Sequence, residues 1–348
     1  MPPTGDEAAT PFALDVLAKY ALAHTVFAAH ELGLWREFEA DPDRSLDSEA
    51  FIAERGLEPR ITRGIVDHLV RRQVLERCPD GGSRYRLAPL GRELIADGWY
   101  AYVVFYVGGY GRVLSALSAL GSGASRYGED VVRDTAYVAR GTEMMSLTPH
   151  HASYGVVLDR AAELQPERVA DVGCGSAGFL IRLVERCGCQ AGIGIDVSDA
   201  VCRLAADSVR GAGLGGRIDI VRCDMRDVLH ARPDLAGTCD VVTAMMVVHE
   251  SLARGEAQTV ELLRTLGGLL TPGRGALLIL DKQTDLLDAG QAPPYLTEYK
   301  LVHDVTWQDL CSAERWRELV EAAGMRLAGT QALPAHTGSI LLECRHAR

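Results

Sequence analysis

The stretch Arg168-Val169-Ala170-Asp171-Val172-Gly173-Cys174-Gly175-Ser176-Ala177-Gly178 decides how the rest of the chain is read. A short apolar run ends in Asp171 and passes into a loop with three glycines. Phe179-Leu180-Ile181 then opens a helical pattern. Glycine suits such a loop because a residue without Cβ turns tightly and lets the backbone lie against a ligand. The helix that follows offers free N–H groups and a positive dipole end. Asp196 closes the next apolar run, Ile193-Gly194-Ile195, where a carboxylate can take the two hydroxyls of a ribose. Asp171 places a negative charge where a pyrophosphate would be repelled and an amino-acid-like cation welcomed. That points away from a nicotinamide dinucleotide and toward S-adenosylmethionine.

Outward from this loop, strand and helix patterns alternate over 168–172, 179–187, 191–196, 199–211, 217–222, 239–246, 256–271, 275–281, 312–323, 325–332 and 338–344. Such alternation marks a doubly wound α/β sheet. The last two strands are joined by Leu333-Pro334-Ala335-His336-Thr337 without a helix, so the final strand is expected to run antiparallel.

Residues 171–178 and 194–198 resemble motif I and the following acidic motif of class I S-adenosylmethionine-dependent methyltransferases. Cys223-Asp224-Met225 resembles the segment after the third strand that lines the adenine in that family. Residues 239–250 resemble the fourth strand, and Leu270-Thr271-Pro272-Gly273-Arg274-Gly275 the turn into the fifth. The resemblance covers roughly residues 150–348, a length that suits one domain. It implies a Rossmann-like domain with a seven-stranded sheet whose last strand is antiparallel. It also implies cofactor contacts at Asp171, Gly173, Gly175, Asp196, Val197, Asp224 and Met225.

Toward the N-terminus, residues 1–10 show no periodicity and are expected to form a disordered tail. Residues 12–38 carry apolar positions at three- and four-residue steps, with a helix end at Gly33. Helical stretches follow at 48–55 and 60–72, then a hairpin over 74–77 and 84–87. Three helices and a hairpin make a winged-helix arrangement. DNA contact through its third helix is disfavoured by Asp67 and His68 among the arginines. The module resembles instead the dimerisation domain of small-molecule O-methyltransferases, and a homodimer is the expected partner. The domain organisation is thus a tail (1–10), a mostly helical winged-helix-like dimerisation domain (11–100), a helical connection that walls the substrate pocket (101–150), and the S-adenosylmethionine-binding catalytic domain (151–348).

The 348 residues suffice for two cores, and the net charge of −11 (36 basic, 47 acidic) argues against an extended nucleic acid partner. Nine cysteines without paired finger spacing argue against a disulfide framework, and Cys187-Gly188-Cys189 reads as structural. No leader is read at the start. The longest apolar run considered, residues 100–107, is too short to span a bilayer, so a cytoplasmic location is expected. His150 and His151 read as capping or packing residues.

The substrate must approach from the end of the fourth strand, Met245-Met246-Val247-Val248-His249-Glu250. Two chemistries fit. In the O-methyltransferase family a histidine here is the general base, so His249 would deprotonate a phenol or hydroxyl without a metal. Alternatively His249, Glu250 and His303 supply two imidazoles and one carboxylate, the parts of a facial triad with open positions. This set resembles that of bacterial 2-oxo acid C-methyltransferases of the phenylpyruvate type, from nonribosomal-peptide and antibiotic pathways. The resemblance implies one divalent or ferric ion, zinc or iron, that chelates a 2-oxo acid and stabilises the enolate for methylation at C3. Catalytic roles then fall to His249 and to Arg133, which would pair with the substrate carboxylate. Tyr106, Tyr127, Tyr137, Arg140, Met144, Met246 and Tyr295 are the expected pocket residues.

Overall fold

A computed structural model describes residues 12–79, 81–148, 152–292, 294–333 and 337–347. The tail, His150, His151 and the core of the expected final hairpin connection, 334–336, lie outside the described residues. The chain divides into two compact units, the first ending at Gly109 and the second beginning at Tyr110.

In the first unit, α1 (Phe12–Glu31) precedes α2 (Ser48–Arg55) and α3 (Pro59–Arg71). The cause of each start is local. Asp47 accepts hydrogen bonds from Glu49 N and Ala50 N to cap α2, and Gly56 ends it at φ +61°. Glu58 caps α3 through Ile61 N at 2.6 Å, with Pro59 at the first helical position. The expected hairpin is present as β2 (Leu75–Arg77) and β3 (Arg84–Leu87), antiparallel. A strand not foreseen, β1 (Leu46–Asp47), pairs with β3 to make three. The long first helix stops at Glu31, because Gly33 at φ +80° turns the chain and Leu34, Trp35 and Phe38 bury beyond it. Trp35 Nε1 donates to Val26 O at 2.9 Å, which leaves its polar atom satisfied in the core.

One expectation needs correction. By length and composition, α1 is long and apolar enough to cross a membrane, a longer candidate than residues 100–107. Asp15, Lys19 and His24 interrupt its apolar stretch. Phe12, Leu14, Leu17 and Tyr20 on α1 are exposed.

The second unit holds a seven-stranded sheet: β4 (Arg168–Val172), β5 (Ala191–Asp196), β6 (Ile218–Arg222), β7 (Val241–Met245), β8 (Ala276–Lys282), β9 (Met325–Ala332) and β10 (Ser339–His346). Its spatial order is β6-β5-β4-β7-β8-β10-β9. The first five strands are mutually parallel, and β10 enters antiparallel between β8 and β9, as expected. The order reverses beside β4, so the carboxyl ends of β4 and β7 diverge into a crevice suited to a ligand. The longer helices of the unit are α4 (Thr135–Leu147), α5 (Ala152–Glu163), α6 (Gly178–Cys187), α7 (Asp199–Gly211), α8 (Glu256–Gly268), α9 (Pro294–Val305) and α10 (Ala313–Ala322). Both faces of the sheet are apolar. Val242, Ala244, Leu262, Leu266, Ile279 and Trp316 pack in one cluster, and Val241, Leu278, Leu280, Leu180 and Val184 in the other. Truncating any of these leucines to Ala should cost about 2–5 kcal/mol.

Helix α9 is the main departure from the expected elements. Residues 289–299 read as a loop, yet Pro294–Val305 is helical and buries Leu296, Tyr299, Val302 and His303 along one face.

Candidate active site

At the end of β4 the backbone leaves the sheet through Gly173 (φ +72°) and Gly175 (φ +54°). A Cβ on Gly173 would stand 3.0 Å from a Val247 methyl, so a side chain there meets both strain and a clash. Gly173 N and Cys174 N donate to Ile195 O at 2.8 and 3.0 Å, fastening the loop to β5. Ala177 adopts φ +65° and opens α6 at Gly178. Asp196, ending β5, accepts from Ser198 N at 2.9 Å and Gly175 N at 3.2 Å. Burial raises its pKa while these N–H groups oppose the rise. Val197 beside it is largely exposed. These features form an open cradle bounded by a carboxylate, which suits the ribose of a nucleoside cofactor.

Asp171 is buried under the loop and accepts from Thr243 Oγ1 at 2.7 Å. Burial pushes its pKa up to about 7, the Thr243 bond opposes this, and the charge of Asp196 adds to it. A carboxyl poised near neutrality beside the loop would ionise when a cationic ligand arrives. Asp224 lies on the loop after β6, where it is paired bidentately by Arg226 and held below the usual carboxylate range. Met225 packs half-buried against the core cluster.

The fourth strand stops at Met245. Met246 takes φ +54°, its N–H donating to Leu280 O at 2.7 Å, and a 3-10 turn, Val248–Arg254, carries His249 and Glu250. His249 and His303 are both buried, and their Nε2 atoms face each other at 3.2 Å across 54 residues of sequence. Each ring is fixed from behind. His249 Nδ1 lies 2.8 Å from Asp281 Oδ1, and His303 Nδ1 lies 2.7 Å from the Tyr299 carbonyl. A carbonyl only accepts, which assigns the His303 proton to Nδ1 and leaves its Nε2 with a lone pair. Burial disfavours a charged His249, but Asp281 outweighs it and raises the pKa. Burial and the neighbouring His249 together drive His303 well below the ordinary value. Of the two rings His249 is the more readily protonated, and a hydrogen on its Nε2 would donate to His303 Nε2.

Glu250 does not join the pair. Its Oε1 accepts from Arg133 Nη2 at 2.7 Å and from Gln308 Nε2 at 3.1 Å. Among the described residues no three His, Cys, Asp or Glu side chains stand together as a metal-holding group. The expected triad thus appears as two imidazoles with the carboxylate turned aside to a guanidinium. Arg133, expected to meet substrate, is engaged by that same carboxylate and lies 3.4 Å from Tyr110 Oη. Burial works against its charge, yet Tyr110 and Glu250 keep its pKa above the ordinary value. Tyr127 is coupled electrostatically to both Arg133 and Glu250.

Four residues of this site carried no signal of their own. Asp281 and Lys282 end the apolar strand β8, where a buried carboxylate and lysine are invisible to hydropathy patterning. Lys282 Nζ donates to Ser339 Oγ at 2.9 Å and to Thr337 O, and stands over the rings of Tyr295 and Tyr299. Tyr299 stacks on His303 with centroids 3.9 Å apart. Gln308 follows Trp307, a bulky residue at φ +56°. The strand-end position of Asp281 is the one signal present, since open α/β sheets collect functional side chains there.

Residues 169–273 match the family model described as "Methyltransferase domain", the segment that holds the glycine loop, Asp196 and the end of β7. The chain is an S-adenosylmethionine-dependent methyltransferase. This methyltransferase is 26% identical over 345 residues to a 2-ketoarginine methyltransferase of Streptomyces arginensis, covering 95% of the chain and 93% of the relative. It is 27% identical over 231 residues to an indolepyruvate C-methyltransferase of Streptomyces griseus, covering 65% and 64%. Among solved structures, human N-acetylserotonin methyltransferase in complex with its cofactor superposes with TM-score 0.68 at 17% identity, covering 98% of this chain and 99% of the other. At that identity the likeness speaks for the O-methyltransferase fold alone.

Proposed function

We propose that this methyltransferase transfers a methyl group from S-adenosylmethionine to C3 of a 2-oxo acid, releasing S-adenosylhomocysteine and a proton. The observation that carries this is the His249–His303 pair. Two Nε2 atoms 3.2 Å apart, with both Nδ1 atoms engaged behind them, need a hydrogen or a cation between them. A proton meets that need, and so does a cation that takes imidazole nitrogens, with Asp281 and the Tyr299 carbonyl in the orienting role that ring N–H groups need at such sites. The two imidazoles therefore fit a metal ion, divalent or ferric, with His249 and His303 as ligands and Glu250, here paired with Arg133, as the third once it leaves that guanidinium. Bound there, the ion would polarise the keto and carboxylate oxygens of the substrate and acidify C3. The chain's own contribution is to aim both Nε2 atoms at that position, to keep Arg133 near it for a carboxylate, and to present the cofactor loop from the adjoining strand end. Both named curated relatives act, by their names, on 2-oxo acids, which supports the substrate class.

A second reading, metal-independent O-methylation with His249 as base, draws support from the Asp281–His249 contact, which would orient such a base. Against it, His249 Nε2 is turned onto His303 rather than left free for a phenol. The exposed apolar side chains of α1 support a homodimer, and secondary metabolism in the cytoplasm remains the setting proposed. Metal analysis of protein prepared without a histidine tag tests the preferred reading. Near-stoichiometric zinc or iron in the wild type, lost in His303→Ala, is expected. A metal-free, fully active enzyme would refute it.

A further inference from the structure

The arrangement around Glu250 is costly to maintain. Gln308 reaches Glu250 from a turn in which Trp307 is held in the left-handed region, where a bulky side chain is strained. Its amide nitrogen donates to the carboxylate, while its own Oε1 is buried with no hydrogen-bond partner among the described residues. An unsatisfied buried carbonyl and a strained backbone, side by side at a site, are usually retained for a function. Arg133 contributes the second hold on the same oxygen. Glu250 is the residue after His249 on a 3-10 turn, where successive side chains project about 120° apart. Adjacency on one turn makes the hold of Arg133 and Gln308 a determinant of where that carboxylate points.

We infer that Arg133 and Gln308 hold Glu250 off the imidazole pair, and that an incoming substrate carboxylate displaces Glu250 from Arg133 and frees it to join His249 and His303. The inference rests on the metal reading above. The exchange is isoelectric at Arg133: one carboxylate leaves the guanidinium as another arrives, and bidentate pairing suits either. It also adds a negative ligand to a cation otherwise held by two neutral imidazoles. Metal and substrate binding then become coupled, because each favours the released position of Glu250. Gln308 acts here as a positioning residue.

Cobalt(II) binding to the full-length protein, followed by its visible d–d absorption, tests this without turnover. The probe ligand is 3-methylbutanoate, a carboxylate with no keto oxygen and hence no chelating pair. In the wild type it should tighten cobalt binding roughly tenfold, the factor given by about 1.4 kcal/mol of coupling. Arg133→Gln should bind cobalt more tightly than wild type without any carboxylate, and 3-methylbutanoate should then add little. Glu250→Gln, which keeps the side-chain shape, should abolish the carboxylate effect by removing the exchanging ligand. An equal carboxylate effect in all three proteins would mean direct ligation of the metal and would overturn the exchange. So would cobalt affinity in Arg133→Gln no higher than wild type. If His303→Ala keeps wild-type cobalt affinity, the metal reading itself fails and takes the exchange with it.

Discussion

Replacing Asp171 with Asn should uncouple cofactor binding from pH. In the free enzyme Asp171 is buried, bonded to Thr243 at 2.7 Å, and has a pKa pushed up to about 7. The ammonium or sulfonium of a bound cofactor favours the ionised carboxylate, so binding should draw the pKa down and release a proton. The sign follows directly. Below pH 7 the cofactor must first expel a proton, so affinity weakens as pH falls. Above pH 7 the carboxylate is already charged and affinity levels off. One pKa unit corresponds to about 1.4 kcal/mol, so each pH unit below the break should weaken binding about tenfold until the bound-state pKa is reached. The cofactor's own amino group stays protonated below about pH 7.7, which keeps the acid limb clear of it. Calorimetry near pH 6 in two buffers of different ionisation heat should report release of close to one proton, falling as the pH rises toward 7. Asp171→Asn should flatten the profile. Thr243→Val, lacking the hydroxyl that stabilises the carboxylate, should move the break upward. A pH-independent wild-type affinity with no proton release would refute this role for Asp171.

Two further expectations test the framework around the site. Asp196→Ala should weaken S-adenosylmethionine binding by about 1.5–3 kcal/mol, the range for hydrogen bonds to a charged group, and calorimetry showing unchanged affinity would remove Asp196 from the cradle. Lys282 is buried with its pKa lowered to about 7 by desolvation, against the pull of Asp281. Between that value and the unfolded value near 10.4 the unfolded chain holds the proton that the folded chain has lost, so this group makes stability rise with pH by up to about 1.4 kcal/mol per unit. Lys282→Met should flatten the rise in denaturant titrations between about pH 7 and 9; parallel wild-type and variant curves would count against it.

The parts of this molecule that were legible in its sequence are those where local chemistry dictates structure. The glycines of the cofactor loop and the apolar runs that end at Asp171 or Asp196 announce themselves within a few residues. His249 and His303 could be paired only through resemblance, since 54 residues separate them and their meeting depends on where α9 packs. That helix is itself masked in the sequence, because Pro293-Pro294 and Gly290 before it read as loop, while its buried face mixes Tyr299 and His303 with Leu296 and Val302. Asp281 and Lys282 were hidden by the apolar run they end, and the Tyr299 contact is a backbone carbonyl that no side-chain pattern records. The salt bridge that diverts Glu250 joins positions 117 apart in sequence, and only tertiary packing reveals it.

Methyl transfer from labelled S-adenosylmethionine to parallel panels of 2-oxo acids and phenols, with and without a strong chelator, tests the central claim most directly. Wild type, His249→Ala and His303→Ala are compared. The expected result is chelator-sensitive methylation at C3 of a 2-oxo acid, lost to a similar extent in both variants. Chelator-insensitive methylation of a phenol, abolished in His249→Ala and retained in His303→Ala, would contradict it.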